Sequence, residues 1–486
     1  MRRVPLFYVW LCFWVVGCNS PQPDTPVAAD TPISTADAPT APGGPSAELR
    51  ALTGARTRVV WVQGDGTDPS AEGDNLILMG LDTDDGQGER VIRAERQSYV
   101  APLLTSDGAR ILFSTRVVPG PPEVFVLNWD GNGLRKIADG FALDLWRNPA
   151  DGRDWVYLGT DNDDFNFSTI TRFPIDEPDR RELVWNKTPI SIDTFRVAAD
   201  GRHAGGMTPW PDVGVTELPN GAVKKLGQGC WSSIATVRGP LFWYLDGPHR
   251  NLTFVDVDTD VRWMVNLNDP EGFDGAEVNH PRWTNHPRFL AMTGPYNQGG
   301  PNQARTGGRQ VEVYVGRFTD DYADVESWVR VTSNSGGDSY PAVWIDLAAC
   351  PHPQRASGRL GPPNAAPRAA TASSAGSSAG RVVLNVRLTR PGPIPDPRTI
   401  LPYRHALVVN EYEVLEILQG AYADDAITIA QWAIRDSRVL PEARRHAGAG
   451  FTISVERFDA HPELEGERVI SDRETTGVAL YYDVGT

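Results

Sequence analysis

Cysteine is scarce, with four in 486 residues, and so are methionine, with five, and histidine, with eight. Four cysteines cannot staple a chain of this length, so the fold must rest on buried apolar surface, and 40% hydrophobic content over this length is enough for two folded domains. Long apolar runs are lacking too. Val4 to Val16 is the longest, and it falls short of the roughly 20 residues that a membrane-spanning helix needs. Positive charge is in deficit: the formal net charge is −16, and no run rich in Lys or Arg appears. Phosphate backbones select basic surfaces, so nucleic acid is not an expected partner.

At the start of the chain, Met1-Arg2-Arg3 is positive, Val4 to Val16 is apolar, and Gly17 precedes Cys18. These are the charged, apolar and small-residue parts of a signal peptide. Val15-Val16-Gly17-Cys18 resembles the lipobox of bacterial lipoproteins. The resemblance implies removal of residues 1–17 and lipidation of Cys18, which would hold the protein on a membrane of the cell envelope. By resemblance to the enterobacterial sorting rule, Asn19 leans the expectation toward the outer membrane rather than the inner. Residues 18–47 are rich in Pro, Ala, Thr, Asp and Ser, with too few large apolar residues to offset the entropy of ordering, and read as a disordered tether.

Cys12 would leave with the signal and Cys18 would carry lipid, so Cys230 and Cys350 are left over in an oxidising compartment. They are either one disulfide or two independent buried thiols.

The middle of the chain repeats itself. Val100 to Leu104, Ala109 to Ser114, Glu123 to Leu127 and Gly133 to Ile137 are four short apolar runs, and Asp107-Gly108 is a tight-turn signal between the first two. The order recurs at Leu143 to Tyr157 around Asp151-Gly152 and at Ile192 to Gly206 around Asp200-Gly201. It recurs again at Trp231 to Tyr244 around Arg238-Gly239, and at Val278 to Met292, where His286-Pro287 replaces Asp-Gly. Ser339 to Trp344 is an opening strand with nothing after it, whereas Arg58 to Val62 and Leu76 to Met79 form a unit lacking one. Joining these ends makes a composite unit and closes a ring of six, which removes exposed sheet edges.

The Pro-x-x-Thr/Ser-x-Asp-Gly-x-x-Ile/Leu-x-Phe units resemble the β-propeller repeats of TolB-like proteins. The resemblance implies a six-bladed propeller over residues 48–350; nothing here matches the α/β domain that precedes the propeller of TolB itself. Residues 351–380 read as a linker by composition, and residues 381–486, with alternating runs such as Ala406 to Leu418, as a small all-β domain, a sandwich or a short barrel. The expected fold class is therefore all-β. Val409 to Gly420 faintly resembles netrin-like and other small-barrel domains. A short helix is expected near Pro441 to His446.

Chemistry is harder to find. The innermost strands carry Trp146, Phe195, Trp231, Trp283, Tyr340 and Trp344 at or near equivalent positions. They read either as an aromatic-lined channel mouth suited to sugars or peptides, or as packing between blades. His280 and His286 are separated by one strand and its turn, about 20 Å at 3.3 Å per residue, too far to share a metal. Asp82 to Gly86 and Asp161 to Asp164 lack the glycine and distant glutamate of a calcium loop. Gly376-Ser377-Ser378-Ala379-Gly380 matches the nucleophile elbow in letters but has no strand before it or helix after it. No metal or cofactor is called for. The expected function is a lipid-anchored binding or scaffolding role toward an envelope protein or polysaccharide. The alternative is a propeller lyase or glycosidase using acids such as Asp144, Asp193 or Glu277.

Overall fold

The architecture comes from a computed structural model, which describes residues 44–68, 71–116, 121–163, 166–192, 194–209, 211–273, 276–296, 308, 310–367, 380–400, 403–461, 464, 467–471 and 479–485. Cys18, the signal sequence and most of the tether lie outside the described residues, as do Asp193 and most of the Gly376 to Gly380 match.

Short runs, most of four to nine residues, rich in β-branched and aromatic side chains and punctuated by Asp-Gly turns, fold into six antiparallel sheets around a ring. Blade 1 is composite: Gly337–Ile345 is its innermost strand and pairs with Thr57–Gly64, matching Thr57 with Ile345 and Gly64 with Gly337, and Leu76–Asp82 and Arg90–Gln97 follow outward. Blades 2 to 6 open with Val100–Leu104, Phe141–Asn148, Arg196–Val197, Cys230–Thr236 and Glu277–Trp283. Joining the ends of the repeat closes the ring, as the sequence requires. Trp61 helps lock the closure, since its Nε1 donates to Asp338 Oδ1 at 2.9 Å from the far end of the propeller sequence.

The helix α1, Pro45–Thr53, begins inside the stretch that composition assigns to the tether. Proline in its first turn and Gly54 at φ 68° behind it are ordinary start and stop signals. It buries Leu49 and Leu52 in a cluster with Val59, Trp61, Phe289, Val313 and Ile345, so it fills the wedge between blades 1 and 6. Beyond the ring, Pro351 to Pro367 lies along the propeller rather than away from it. Gly361 N donates to Asp321 O, Ala356 N to Val237 O, and Ala366–Pro367 adds a fifth strand to blade 5.

The C-terminal region is a closed five-stranded barrel, which decides between the two expected forms. Val382–Arg390 pairs with Ala406–Gln419 and with Gly450–Arg457; Ala406–Gln419 continues to Ala426–Arg435, and Leu480–Asp483 bridges Ala426–Arg435 to Gly450–Arg457. Alternating Val382, Leu384, Val386 and Leu388 face its core with Tyr412, Ile427, Ile429 and Ile453. The helix expected near Pro441 is a single 3-10 turn, Pro441–Ala443.

The barrel docks on the propeller through buried polar groups. Arg468 and Glu277 form an ion pair with side chains 1% and 0% exposed, and Arg468 Nη1 also donates to Gly247 O at 2.6 Å. Next to this pair, Tyr403 OH lies 2.7 Å from Cys230 Sγ and 3.3 Å from His249 Nε2. All the propeller groups here sit at the starts of inner strands or in the turn Asp246 to Arg250. The barrel therefore covers one end of blades 5 and 6, and the opposite end of the channel is a separate surface about 20 Å away along the strands.

Candidate functional site: the open end of the channel

At that opposite end, the last residues of the inner strands and the turns after them enclose a cavity of about 570 Å³. Its walls include Leu104, Trp146, Trp283, Trp344 and Leu347, with Arg147, Arg196, Arg282, Asp107, Asp144 and Asp154 among them. A concave site with apolar walls and a few convergent polar groups is the usual form of a binding site.

Deeper in, the channel narrows to a neck of about 20 Å³, lined by Ala101, Trp231, His280 and Tyr340 with Arg196 and Arg282. The neck has a shared local cause. In four blades the inner strand shifts register against its neighbour at this level, and the residue in the shift has positive φ: Ala101 at 47°, Trp231 at 46°, His280 at 54° and Tyr340 at 51°. Such bulges redirect the backbone and its side chains, and a positive φ in a residue with a Cβ costs free energy that the surrounding ring must supply. Proline follows in three of the four, as Pro102, Pro281 and Pro341.

The six aromatic residues singled out by sequence divide into three groups. Trp146, Trp283 and Trp344 line the wide mouth; Trp231 and Tyr340 line the neck; Phe195 is fully buried against Tyr157, with ring centroids 6.1 Å apart. Two of the mouth tryptophans also join blades. Trp344 Nε1 donates to Ser106 O at 2.8 Å and its ring presses on Gly108, while Trp146 Nε1 donates to Ala199 O at 3.2 Å and its ring presses on Gly201. Each thus lies on the Asp-Gly turn of the next blade. Trp283 turns the other way and stacks on Trp243, centroids 4.0 Å apart. Channel lining and packing between blades, set out as alternatives by sequence, are carried by the same rings.

The arginines were missed, although each interrupts an apolar inner strand: Arg196 between Phe195 and Val197, and Arg282 between Pro281 and Trp283. Arg196 donates to the carbonyls of Leu143 and Phe195. Arg282 donates to Pro102 O at 3.3 Å and lies 3.7 Å from Asp144 Oδ1, whose other oxygen accepts from Val197 N at 2.8 Å. Of the acids named for glycosidic chemistry, Asp144 is thus bound into the mouth wall, and Glu277 is buried at the barrel end against Arg468; the two do not share a pocket. Burial pushes the Glu277 carboxyl above its ordinary value even beside that guanidinium.

His280 Nδ1 lies 2.9 Å from Thr293 Oγ1 in the neck, and His286 Nε2 lies 3.0 Å from His352 O under the segment that crosses the propeller. Burial depresses the His286 imidazole to about 4, so it is neutral at physiological pH. Cys230 and Cys350 are both free thiols, which corrects the disulfide alternative. Cys230 Sγ is held between Tyr403 and His249 at the barrel interface, whereas Cys350 Sγ donates to Thr53 O at the end of α1, so each sulfur has its own surroundings.

No protein-family model matches the chain. No curated protein matches it either. Among solved structures, TolB from Acinetobacter baumannii is similar at 16% identity and a TM-score of 0.42, over 61% of this chain and 70% of that one. The hydrazine synthase of Kuenenia stuttgartiensis is similar at 13% identity and a TM-score of 0.39, over 74% of this chain and 56% of that one. A structure from an analysis of two prolyl endopeptidases is similar at 10% identity and a TM-score of 0.33, over 76% and 56%. At such identities the likeness concerns the path of the chain and not its chemistry.

Proposed function

We propose that the protein is an envelope lipoprotein, anchored by a lipid on Cys18, whose propeller binds a protein or polysaccharide partner at the open end of its channel. The observation that carries this reading is the cavity of about 570 Å³ with Trp146, Trp283, Trp344 and Leu347 in its walls, at the end of the propeller that the barrel leaves uncovered. The tether and the acidic net charge suit display in the envelope, away from nucleic acid. Among the described residues, no helix is long and apolar enough to cross a membrane, so attachment in this reading falls to Cys18.

Two measurements test it. A photo-crosslinking amino acid at Leu347, on the mouth, is expected to trap a discrete adduct in whole cells, and the same group at Val223, on an outer strand of blade 4, is not. Equal labelling at both positions, or none at Leu347, rejects the mouth as the binding surface. Metabolic labelling with an alkyne analogue of palmitate is expected to mark the protein and to leave Cys18→Ser unmarked; label retained by that variant rejects the anchor.

A further inference from the structure

The charges in the wall of the mouth cancel. Among the described residues, Arg147, Arg196 and Arg282 stand against Asp107, Asp144 and Asp154, and no Lys, Glu or His joins them, within a chain of net charge −16. Each of the six is engaged by its neighbours. Arg282 lies 3.7 Å from Asp144 and Arg147 lies 4.0 Å from Asp154, while Arg196 donates to the carbonyls of Leu143 and Phe195. Asp107 accepts from Thr105 Oγ1 at 2.6 Å and from Ala109 N at 2.9 Å. A ligand of either sign must therefore compete with a partner already in place, and it gains no net field from the mouth. Hydroxyl groups have no such competition, because each both donates and accepts and can bond a paired guanidinium and carboxylate without parting them.

Size adds a second constraint. The mouth, at about 570 Å³, takes a ligand of several rings, whereas the neck, at about 20 Å³, has room for little more than one water molecule. A polymer entering the mouth therefore ends at the neck, beside Arg196 and Arg282, which line both. A peptide end carries a charge there: an ammonium is repelled by the guanidinium groups, and a carboxylate contends with Asp144 for Arg282. The non-reducing end of a neutral glycan carries only hydroxyls. Farther out, Trp344 is half-buried and Leu347 is 38% exposed, which leaves apolar surface for the C–H faces of sugar rings.

We infer that the mouth takes the non-reducing end of a neutral glycan, with the terminal hydroxyls against the Arg282–Asp144 pair beside the neck and the C–H faces of the following rings against Trp344 and Leu347. This rests on the reading of the mouth as a binding site and narrows its partner to a polysaccharide without charged groups.

The test reads saturation-transfer NMR on the folded full chain with cellotetraose, maltotetraose, mannotetraose and tetra-N-acetylchitotetraose. Oligogalacturonate and a random hexapeptide pool run as separate arms. At least one neutral tetrasaccharide is expected to bind, with the strongest transfer to its non-reducing ring. Its affinity is expected to change less than about twofold between about 0.05 and 0.5 M salt, since no net charge is there to be screened. Trp344→Ala is expected to weaken binding about tenfold and Trp344→Phe by less, with melting temperatures recorded as a check on folding. Because Trp344 also joins two blades, Leu347→Arg, at an exposed position, gives a second reading, with a loss of about tenfold expected. Tighter binding of oligogalacturonate or of the peptides overturns the inference, as does strongest transfer to the reducing ring, affinity unchanged in both Trp344→Ala and Leu347→Arg, or no binding of any of the four. If crosslinking from Leu347 in cells still succeeds, such a result removes the neutral glycan and leaves the mouth as a binding site; if that fails too, both readings fall.

Discussion

Gly201→Ala reports on the contact that joins blade 3 to blade 4 at the mouth. Gly201 has φ 67°, and a Cβ built there would meet Trp146 Cζ2 at 2.2 Å. Gly152 occupies the corresponding Asp-Gly turn of blade 3 at φ 65°, where a Cβ meets only Arg147 Nη2 at 3.6 Å. The two substitutions thus share the backbone penalty, about 1–2 kcal/mol for an L-residue in the left-handed region, and differ in the clash. Relieving 2.2 Å requires Trp146 to move by more than 1 Å, since ordinary contact begins near 3.4 Å. Overpacking of this kind costs about 1–3 kcal/mol, and loss of the Trp146 hydrogen bond to Ala199 O adds about 1 kcal/mol. Gly201→Ala is therefore expected to destabilise by about 2–4 kcal/mol more than Gly152→Ala in urea unfolding monitored by circular dichroism. In a Trp146→Ala background the excess should disappear, because the atom that clashes is gone. If the two glycine substitutions cost the same in the natural background, the account of Trp146 as the link between these blades is wrong.

Arg468→Met removes the cationic half of a fully buried pair and leaves Glu277 without its partner, a loss of about 3–5 kcal/mol at neutral pH. The loss should shrink as pH falls below neutral, because burial favours the protonated form of the Glu277 carboxyl; an effect below about 0.5 kcal/mol across that range would refute the role of the pair in docking the barrel. Asp338 is buried, and its carboxyl is pushed up to about 7 from an ordinary 3.8 by burial, with Glu312 nearby. A folded-state value above the unfolded one means that its contribution to stability is fully present below about pH 3.8 and is lost as pH rises through about 7. The urea midpoint should accordingly be higher at pH 5 than at pH 8, by a margin that narrows in Asp338→Asn; a margin unchanged in that variant assigns the pH dependence elsewhere. Cys230 and Cys350 should both react with a thiol reagent in denaturant without reductant, and Cys230 should be protected in the native protein; an unreactive pair in denaturant would restore the disulfide.

How much was legible differs by element. Blades 2, 3 and 4 could be read directly, because a strand, an Asp-Gly turn and a second strand are local signals with a period of two. The composite blade could be read by elimination, since an orphan opening strand at Gly337–Ile345 and a unit without one at Thr57–Gly64 have each other as partners. The aromatic residues of the inner strands were visible, but the direction each ring faces was not. Trp146 and Trp344 turn toward the next blade and Trp283 toward Trp243, and only the neighbours present in three dimensions decide this. The α1 helix was hidden because its nine residues carry just two buried leucines, and the cost of ordering them is met by a wedge built from strands hundreds of residues away.

The sequence by itself determined the ring of six blades, its closure and the existence of a separate β-domain, because hydrophobic period, turn chemistry and repeat spacing act over short stretches of chain. The tertiary structure alone decided that the second domain is a closed barrel, that it covers one end of blades 5 and 6 through Glu277 and Arg468, and that Arg196 and Arg282 both line the neck of the channel. The Glu277–Arg468 pair joins residues 191 positions apart, and no local preference encodes it. It follows from burial, which forces a charge taken out of water to find an opposite partner wherever the fold brings one.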